Sequence, residues 1–286
     1  MWLRGRRNSR TFPITTMKSK YALAVSDIDG TLAIMGERIS DANLAAIRRL
    51  QAAGMEFVLA SGRHHENMLQ FCEMIPGVNW VISAQGGMIA NKDQSEVLSE
   101  DFMAADLVSE IARKAQKFGY TPLIYSGEGV CSPKDDEWTA FYAKIAKNVV
   151  TQVPLKIALT RSVFKVVWVS GEKKILEVKN LELNFREVTH FQTHPHLYEF
   201  MPATTSKGNA VEMLARQKGL EMEQIVSFGD GDNDVSMLER TGCSVAMGHG
   251  SDSALAAGKI VTSKDDPSSA LADGVNIFFE RFYGQV

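Results

Sequence analysis

The segment Tyr21-Ala22-Leu23-Ala24-Val25-Ser26-Asp27-Ile28-Asp29-Gly30-Thr31 runs from an apolar stretch straight into two aspartates and a glycine. A short apolar run closed by turn signals is the pattern of a parallel strand buried on both faces. In open parallel sheets, ligands bind beyond the carboxyl ends of the strands, where Asp27 and Asp29 fall. Residues two apart in an extended segment project to the same side. The two carboxylates can therefore hold a hard cation together and still offer an oxygen for attack. Gly30 permits the tight turn that follows. Taken alone, these residues also fit a plain Asp-Gly turn closing a strand.

Three more segments place reactive groups at a strand end or a helix start. Residues 55–60 (MEFVLA) read as a buried strand and are followed by Ser61-Gly62-Arg63. A hydroxyl with free main-chain N–H groups at a helix start forms an anion site, although a Ser N-cap accounts for the same residues. Gly229-Asp230-Gly231-Asp232-Asn233-Asp234 follows the strand-like QIVSF of residues 224–228. Its three acids repel one another unless a cation or water compensates them. An EF-hand is excluded, because a strand precedes the segment and no Glu stands at the twelfth position. Magnesium suits the segment, since it takes few carboxylates and completes its shell with waters and phosphate oxygens. Lys207, in Thr204-Thr205-Ser206-Lys207-Gly208, opens a helix, where the macrodipole disfavours a cation. That conflict points to a functional placement, the alternative being a solvated surface lysine. Nucleophile, acid, anion cradle, cation and metal site together make a set for phosphoryl transfer.

The alternation of strand and helix on both sides of these segments predicts an α/β fold with a parallel sheet. Helices are expected over 41–53, 64–75, 206–218 and 267–279, and strands over 80–83 and 243–246. Residues 90–202 read differently, with strand-like runs at 120–125, 164–169 and 187–193 and helix-like runs at 137–147 and 173–181. They are expected to form an α+β domain inserted into a core made of 17–89 and 203–286. Turn-rich points at Gly86-Gly87 and Pro202-Ala203-Thr204 bracket the insert and can serve as hinges.

Composition narrows the partners. The 286 residues carry 31 basic and 34 acidic side chains, a net charge of −3, with no basic footprint for nucleic acid. No apolar run reaches the ~18 residues of a membrane span. Cys72, Cys131 and Cys243 are odd in number and in no ligand spacing, as expected for free thiols in the cytoplasm. Residues 1–16 carry four arginines and no acid, which suits a transit peptide. A disordered extension ahead of Met17 is the preferred expectation.

At Asp27-Ile28-Asp29-Gly30-Thr31 and Gly229-Asp230-Gly231-Asp232-Asn233-Asp234 the chain resembles the haloacid dehalogenase superfamily, in its Cof-type phosphatase branch with a large α/β cap. The resemblance covers nearly everything after Met17. It implies a Rossmann-like core, the insert as cap, and Mg2+ as cofactor. It further implies Asp27 as nucleophile and metal ligand, and Asp29 as general acid and base whose main-chain carbonyl also reaches the metal. Asp230 would be the third protein ligand, with Asp234 orienting the groups around the ion. Ser61, Gly62, Lys207, Asn233 and the Ile28 N–H would hold the phosphate. The implied function is hydrolysis of small phosphorylated metabolites, such as sugar phosphates, pyridoxal phosphate or FMN, by a monomer or homodimer. A phosphomutase on the same machinery is the alternative. A non-catalytic phosphoacceptor or metabolite-sensing domain is another, but it needs neither Asp29 nor an insert. The chain departs from the family at Gln85-Gly86-Gly87, where Asn-Gly is usual, which leaves the hinge contacts open.

Other features have plainer readings. His194-Pro195-His196 is expected to be a turn with surface histidines, and His64-His65 a solvated first turn. Arg63 can reach substrate, cap or a structural partner. Trp138 and Phe141, at helical spacing, are expected in the core of the insert.

Overall fold

A computed structural model describes residues 20–34 and 38–284; the expected extension over 1–16 lies outside the described residues. The chain begins β1 (Leu23–Ser26), α1 (Asp41–Ala52), β2 (Glu56–Ala60), α2 (His65–Met74), β3 (Trp80–Ser83), β4 (Met88–Asn91), β5 (Val97–Glu100). It continues α3 (Ala105–Lys117), β6 (Thr121–Ser126), β7 (Gly129–Ser132), α4 (Glu137–Ala146), β8 (Val150–Gln152), α5 (Leu155–Ala158), β9 (Val163–Val169), α6 (Glu172–Glu177), β10 (Val188–His194), β11 (Leu197–Pro202). It ends α7 (Lys207–Gln217), β12 (Ile225–Gly229), α8 (Val235–Leu238), β13 (Cys243–Ala246), α9 (Asp252–Ala257), β14 (Ile260–Val261), α10 (Ala270–Tyr283).

The first sheet has eight strands in the order β14-β13-β12-β1-β2-β3-β4-β5. β1 lies between β12 and β2 and pairs with both in parallel, with Val25 opposite Ser227 on one side and Val58 on the other. Period-two alternation sends its side chains to opposite faces. Ala24 packs with Phe57, Ile47 and Phe278 on one face, and Leu23 and Val25 pack with Val58 and Leu214 on the other. This is the expected α/β class, with a Rossmann-like parallel centre. The consequence for function is positional. Asp27 follows β1, Ser61 follows β2 and Asp230 follows β12, so three neighbouring parallel strands, about 4.8 Å apart, end on one edge. The chain reverses its direction of strand addition between β1 and β12, the kind of switch point that opens a ligand crevice.

β4 and β5 add antiparallel strands to this sheet. The expected insert boundary at residue 90 thus falls inside β4, and hydrogen bonding keeps the chain on the first sheet through Glu100. The next strands form a second, six-stranded sheet in the order β10-β11-β9-β6-β7-β8, antiparallel except between β7 and β8. It closes over Tyr120, Trp168 and Phe200, with Tyr120 and Trp168 stacked at 5.0 Å. Trp138 and Phe141 pack against a smaller apolar cluster on its other face. Among the described residues no helix is long and apolar enough to cross a membrane.

Candidate active site

Asp27 is 4% exposed, and its N–H donates to the Phe228 carbonyl, prolonging the β1–β12 pairing by one residue. Beyond it the chain turns tightly, because the Ile28 carbonyl accepts from Thr31, Leu32 and Ala33. The Ile28 side chain points away from the site into the core. Gly30 has φ +93°, and a Cβ there would lie 2.2 Å from Asp230 Oδ2. Only glycine lets the two acidic loops come this close. Thr31 Oγ1 then donates to Asp230 Oδ1 at 2.7 Å.

Beneath these loops Lys207 is fully buried. Its Nζ donates to Asp27 Oδ1 at 2.5 Å and to Asp234 Oδ1 at 2.6 Å, which excludes the solvated-lysine alternative. Ser206 caps α7 by accepting from the Asn209 N–H. Asp234 has no oxygen to spare, since its Oδ2 accepts from the N–H groups of Asp230 and Gly231 at 3.0 Å each. It therefore ties the lysine to the Gly229–Asp234 loop.

On the β2 side, His64 and not Ser61 occupies the N-cap position of α2. Ser61 Oγ accepts from the Arg63 N–H at 3.2 Å. Arg63 grips Asp29 with two parallel bonds, Nε to Oδ2 at 2.7 Å and Nη2 to Oδ1 at 2.6 Å. Such planar, bidentate pairing is the strong form of a charge-assisted bond.

Asp27, Asp29, Ser61, Gly62, Asp230 and Asn233 line one cavity of about 130 Å³, whose opposite wall comes from the second sheet and from α4. Tyr125, Tyr142, Ile145 and Leu197 supply the apolar part, and Thr193, His194 and Glu199 the polar part. Of the residues expected here, Lys207, Asp234 and the Ile28 side chain stand outside the lining. The two histidine expectations need correction. His64 and His65 are buried, His64 Nε2 bonding the Ser126 carbonyl at 2.8 Å and His65 Nε2 the Lys92 carbonyl at 3.1 Å. Both gain a carbonyl partner as the chain folds back on the start of α2, which offsets part of their loss of water, although His65 Nδ1 is buried without a partner. His194 closes β10 half-buried and faces the cavity, and burial lowers its pKa.

Electrostatics single out the acidic centre. Burial pushes the Asp27 pKa well up against the pull of Lys207, and Asp234, Asp230 and Asp29 push it further. Burial and Asp234 raise Asp230 to about 7. Burial works against the Lys207 ammonium, but Asp234 and Asp27 outweigh it and raise its pKa. Four carboxylates thus face two cationic side chains, Lys207 and Arg63, so full ionisation would leave an excess of two negative charges, and the raised Asp27 and Asp230 reflect that cost. Carboxylate oxygens of Asp27, Asp230 and Asp234 lie within 4.8 Å of one another. With Asp234 spent on Lys207 and the loop, Asp27 and Asp230 remain as carboxylate donors. This hard, all-oxygen set fits a divalent ion.

The sequence of the chain matches the model of the haloacid dehalogenase-like hydrolases over residues 24–274. The chain belongs to that family. It is similar to an HMP-PP phosphatase of Yersinia enterocolitica, 26% identical over 240 residues that cover 80% of this chain and 84% of the relative. A haloacid dehalogenase-like hydrolase from Bacteroides thetaiotaomicron superposes with a TM-score of 0.78 at 26% identity, over 92% of this chain and 100% of that one. A subclass IIB sugar phosphatase shares the fold, with a TM-score of 0.75 at 21% identity over 91% and 98% of the two chains. The present chain is accordingly an enzyme, a phosphatase of the Cof-type branch.

Several residues of this family member's site were not singled out from sequence. Lys165, Glu199, Thr193, Tyr125 and Tyr142 come from strands and a helix of the insert, where their spacing looks like ordinary core pattern. A lysine inside the apolar run Val163–Val169 was the available signal, since a fully buried lysine needs a partner.

Proposed function

We propose that this phosphatase hydrolyses small phosphate monoesters with the carboxylate of Asp27, with Mg2+ as cofactor. The observation that carries the reading is the meeting of three separate segments, with Asp27, Asp29 and Asp230 lining one cavity and Lys207 holding Asp27 from beneath. Mg2+ would be held by Asp27, Asp230 and the main-chain carbonyl of Asp29, and when bound it would offset the charge of the phosphate beside Asp27. Lys207 holds Asp27 Oδ1, which fixes the carboxylate and leaves Oδ2 to attack phosphorus. The new P–O bond forms as the bond to the leaving oxygen breaks, giving an aspartyl-phosphate. Asp29 protonates the leaving oxygen and then takes a proton from the water that releases phosphate. Both oxygens of Asp29 accept from Arg63 at rest, so one of those bonds must open for Asp29 to take up from solvent the proton it delivers. Ser61 Oγ, the Gly62 and Ile28 N–H groups, Lys207 and Asn233 hold the phosphoryl oxygens.

The second sheet acts as a cap over the site. A cavity of about 130 Å³ is small beside the roughly 300–1,000 Å³ of drug-sized ligand sites. That supports a sugar phosphate over a flavin nucleotide. A relative named as an HMP-PP phosphatase also supports a small phosphorylated substrate.

The test is hydrolysis of para-nitrophenyl phosphate with magnesium. Asp27→Asn and chelation should each abolish it, and magnesium should restore the chelated enzyme. Activity that survives both treatments would end the proposal. A panel of phosphorylated metabolites then identifies the substrate.

A further inference from the structure

The turn between β3 and β4 touches the loop after β2, the start of α7, the Gly229–Asp234 loop and the insert. The Ala84 N–H donates to the Arg63 carbonyl at 2.9 Å and the Gln85 N–H to the Ser61 carbonyl at 3.0 Å. Gly86 has φ +103°, and a Cβ there would lie 2.4 Å from the carbonyl oxygen of Ser206, the residue before Lys207. Ala84 and Gln85 hold φ of 50° and 65°, values that non-glycine residues adopt rarely and keep only when their surroundings impose them. The imposed shape lays the Gln85 side chain against Gly62, where a Cβ would lie 2.4 Å from Gln85 Nε2.

Both ends of the Gln85 amide are used. Its Oε1 accepts from Asn233 Nδ2 at 3.1 Å, and its Nε2 donates to Glu199 Oε2 at 3.2 Å. A carboxylate only accepts, so the orientation of the amide is determined by its partners. Glu199 belongs to β11 of the insert. Its Oε2 also accepts from Lys165 Nζ at 2.7 Å and its Oε1 from Thr193 Oγ1 at 2.9 Å. Lys165 Nζ in turn donates to the Gly62 carbonyl at 2.7 Å. Asn233, Gln85, Glu199, Lys165 and Gly62 thus form one chain of contacts that leaves the core, passes through the insert and returns to the core. Gln85, Glu199 and Lys165 are all at most 5% exposed.

We infer that Gln85 is a positioning residue that makes the orientation of Asn233 depend on the seating of the insert. The inference rests on the phosphatase reading, in which Asn233 contacts phosphate. A primary amide has two N–H bonds. Gln85 takes one from Asn233 and so aims the other at the cavity. Lifting the insert separates Glu199 from Gln85 and Lys165 from Gly62, while the Lys165–Glu199 pair travels intact. The Gln85 amide then loses its anchor, and Asn233 loses the stop that aims it. The longer Gln side chain supplies this reach; an Asn at the same place would fall one methylene short.

The test is an exchange of partners. Gln85→Glu places two carboxylates against each other, and Glu199→Gln removes the charge that Lys165 and Gln85 share. Each single variant should lower kcat/KM for para-nitrophenyl phosphate about tenfold, the cost of a buried hydrogen bond to a charged group, with most of the loss in kcat. The Gln85→Glu/Glu199→Gln double variant restores the contact with donor and acceptor reversed, and should regain at least threefold over either single variant. Gln85→Met keeps the length without the bonds and should match the single variants. A second readout needs neither metal nor turnover. Amide hydrogen exchange should quicken in residues 61–65 and 197–201 of the single variants and return towards wild type in the double variant, with 243–246 unchanged throughout. Single variants within twofold of wild type, or a double variant no better than the worse single one, would overturn the inference. Failure of the wild type to hydrolyse the ester would instead count against the phosphatase reading, and the exchange pattern would still decide the contact.

Discussion

Lys207→Met separates what the buried lysine does for stability from what it does for chemistry. Lys207 is fully buried between Asp27 and Asp234, which are themselves almost without solvent contact. Removing one partner of a buried ion pair costs about 3–5 kcal/mol, because the other is left uncompensated. Here two carboxylates are left, beside Asp230. They can avoid part of that cost by taking up protons, so the loss must depend on pH. The Asp27 pKa is already raised in the folded protein, by burial first, and loss of the lysine raises it further. A carboxyl whose folded pKa lies above its unfolded value of about 3.9 favours the folded state at low pH, and that advantage is lost as pH rises through the folded pKa. The stability deficit of Lys207→Met should therefore be smaller near pH 5 than near pH 8. Urea unfolding at the two pH values, in chelator, reads it directly. Adding Asp234→Asn removes one stranded charge and keeps an oxygen for the Asp230 and Gly231 N–H groups. It should recover about half the loss at pH 8. Hydrolysis should stay at least ~100-fold down in both variants, the usual scale for losing a charged group that steadies the reacting atoms. A deficit that is equal at pH 5 and pH 8, or below about 1 kcal/mol at pH 8, would refute the reasoning.

Two further outcomes follow from packing. Gly30→Ala sets a Cβ 2.2 Å from Asp230 Oδ2 at φ +93°, so the left-handed backbone and the overlap should together cost about 2–4 kcal/mol, read as a lowered urea midpoint with loss of hydrolysis; a fully stable and active variant would show that the loops do not need this approach. Burial raises the thiols of Cys72 and Cys243 to about 11 and that of Cys131 in the same direction, so a thiol reagent at pH 8 should label none in the native protein and three after unfolding; rapid native labelling would contradict the burial.

Local pattern carried a large part of the fold. The run from Tyr21 to Ser26 announces a buried strand because a strand covered on both faces has no polar side to show. α1 was legible from Leu44, Ile47 and Leu50 at helical spacing, and the structure adds that Ser40 and Ser206 cap α1 and α7 by accepting from the Asn43 and Asn209 N–H groups. The acidic loops stand out for the opposite reason, since carboxylates so close together are costly without a compensating cation. The insert was harder. Its strands β10 and β11 place Thr193, His194 and Glu199 on the cavity, yet a hydroxyl, an imidazole and a carboxylate in an alternating strand look the same whether they face water or a site. His64 and His65 were misread for the same cause: their partners, the Ser126 and Lys92 carbonyls, come from segments distant in the sequence.

By itself the sequence determined which groups this enzyme has to work with: aspartates, a serine, a lysine and an asparagine at the ends of strands and the starts of helices. Periodicity and turn chemistry act over a few residues, so they can be read from the chain alone. Only the tertiary structure decided which partners those groups meet. Strand order brings residues 27 and 230 together across some two hundred positions, and seating of the second sheet sets Lys165 and Glu199 against Gly62 and Gln85. Those contacts depend on how sheets are stacked, a property of the whole chain that no local stretch encodes.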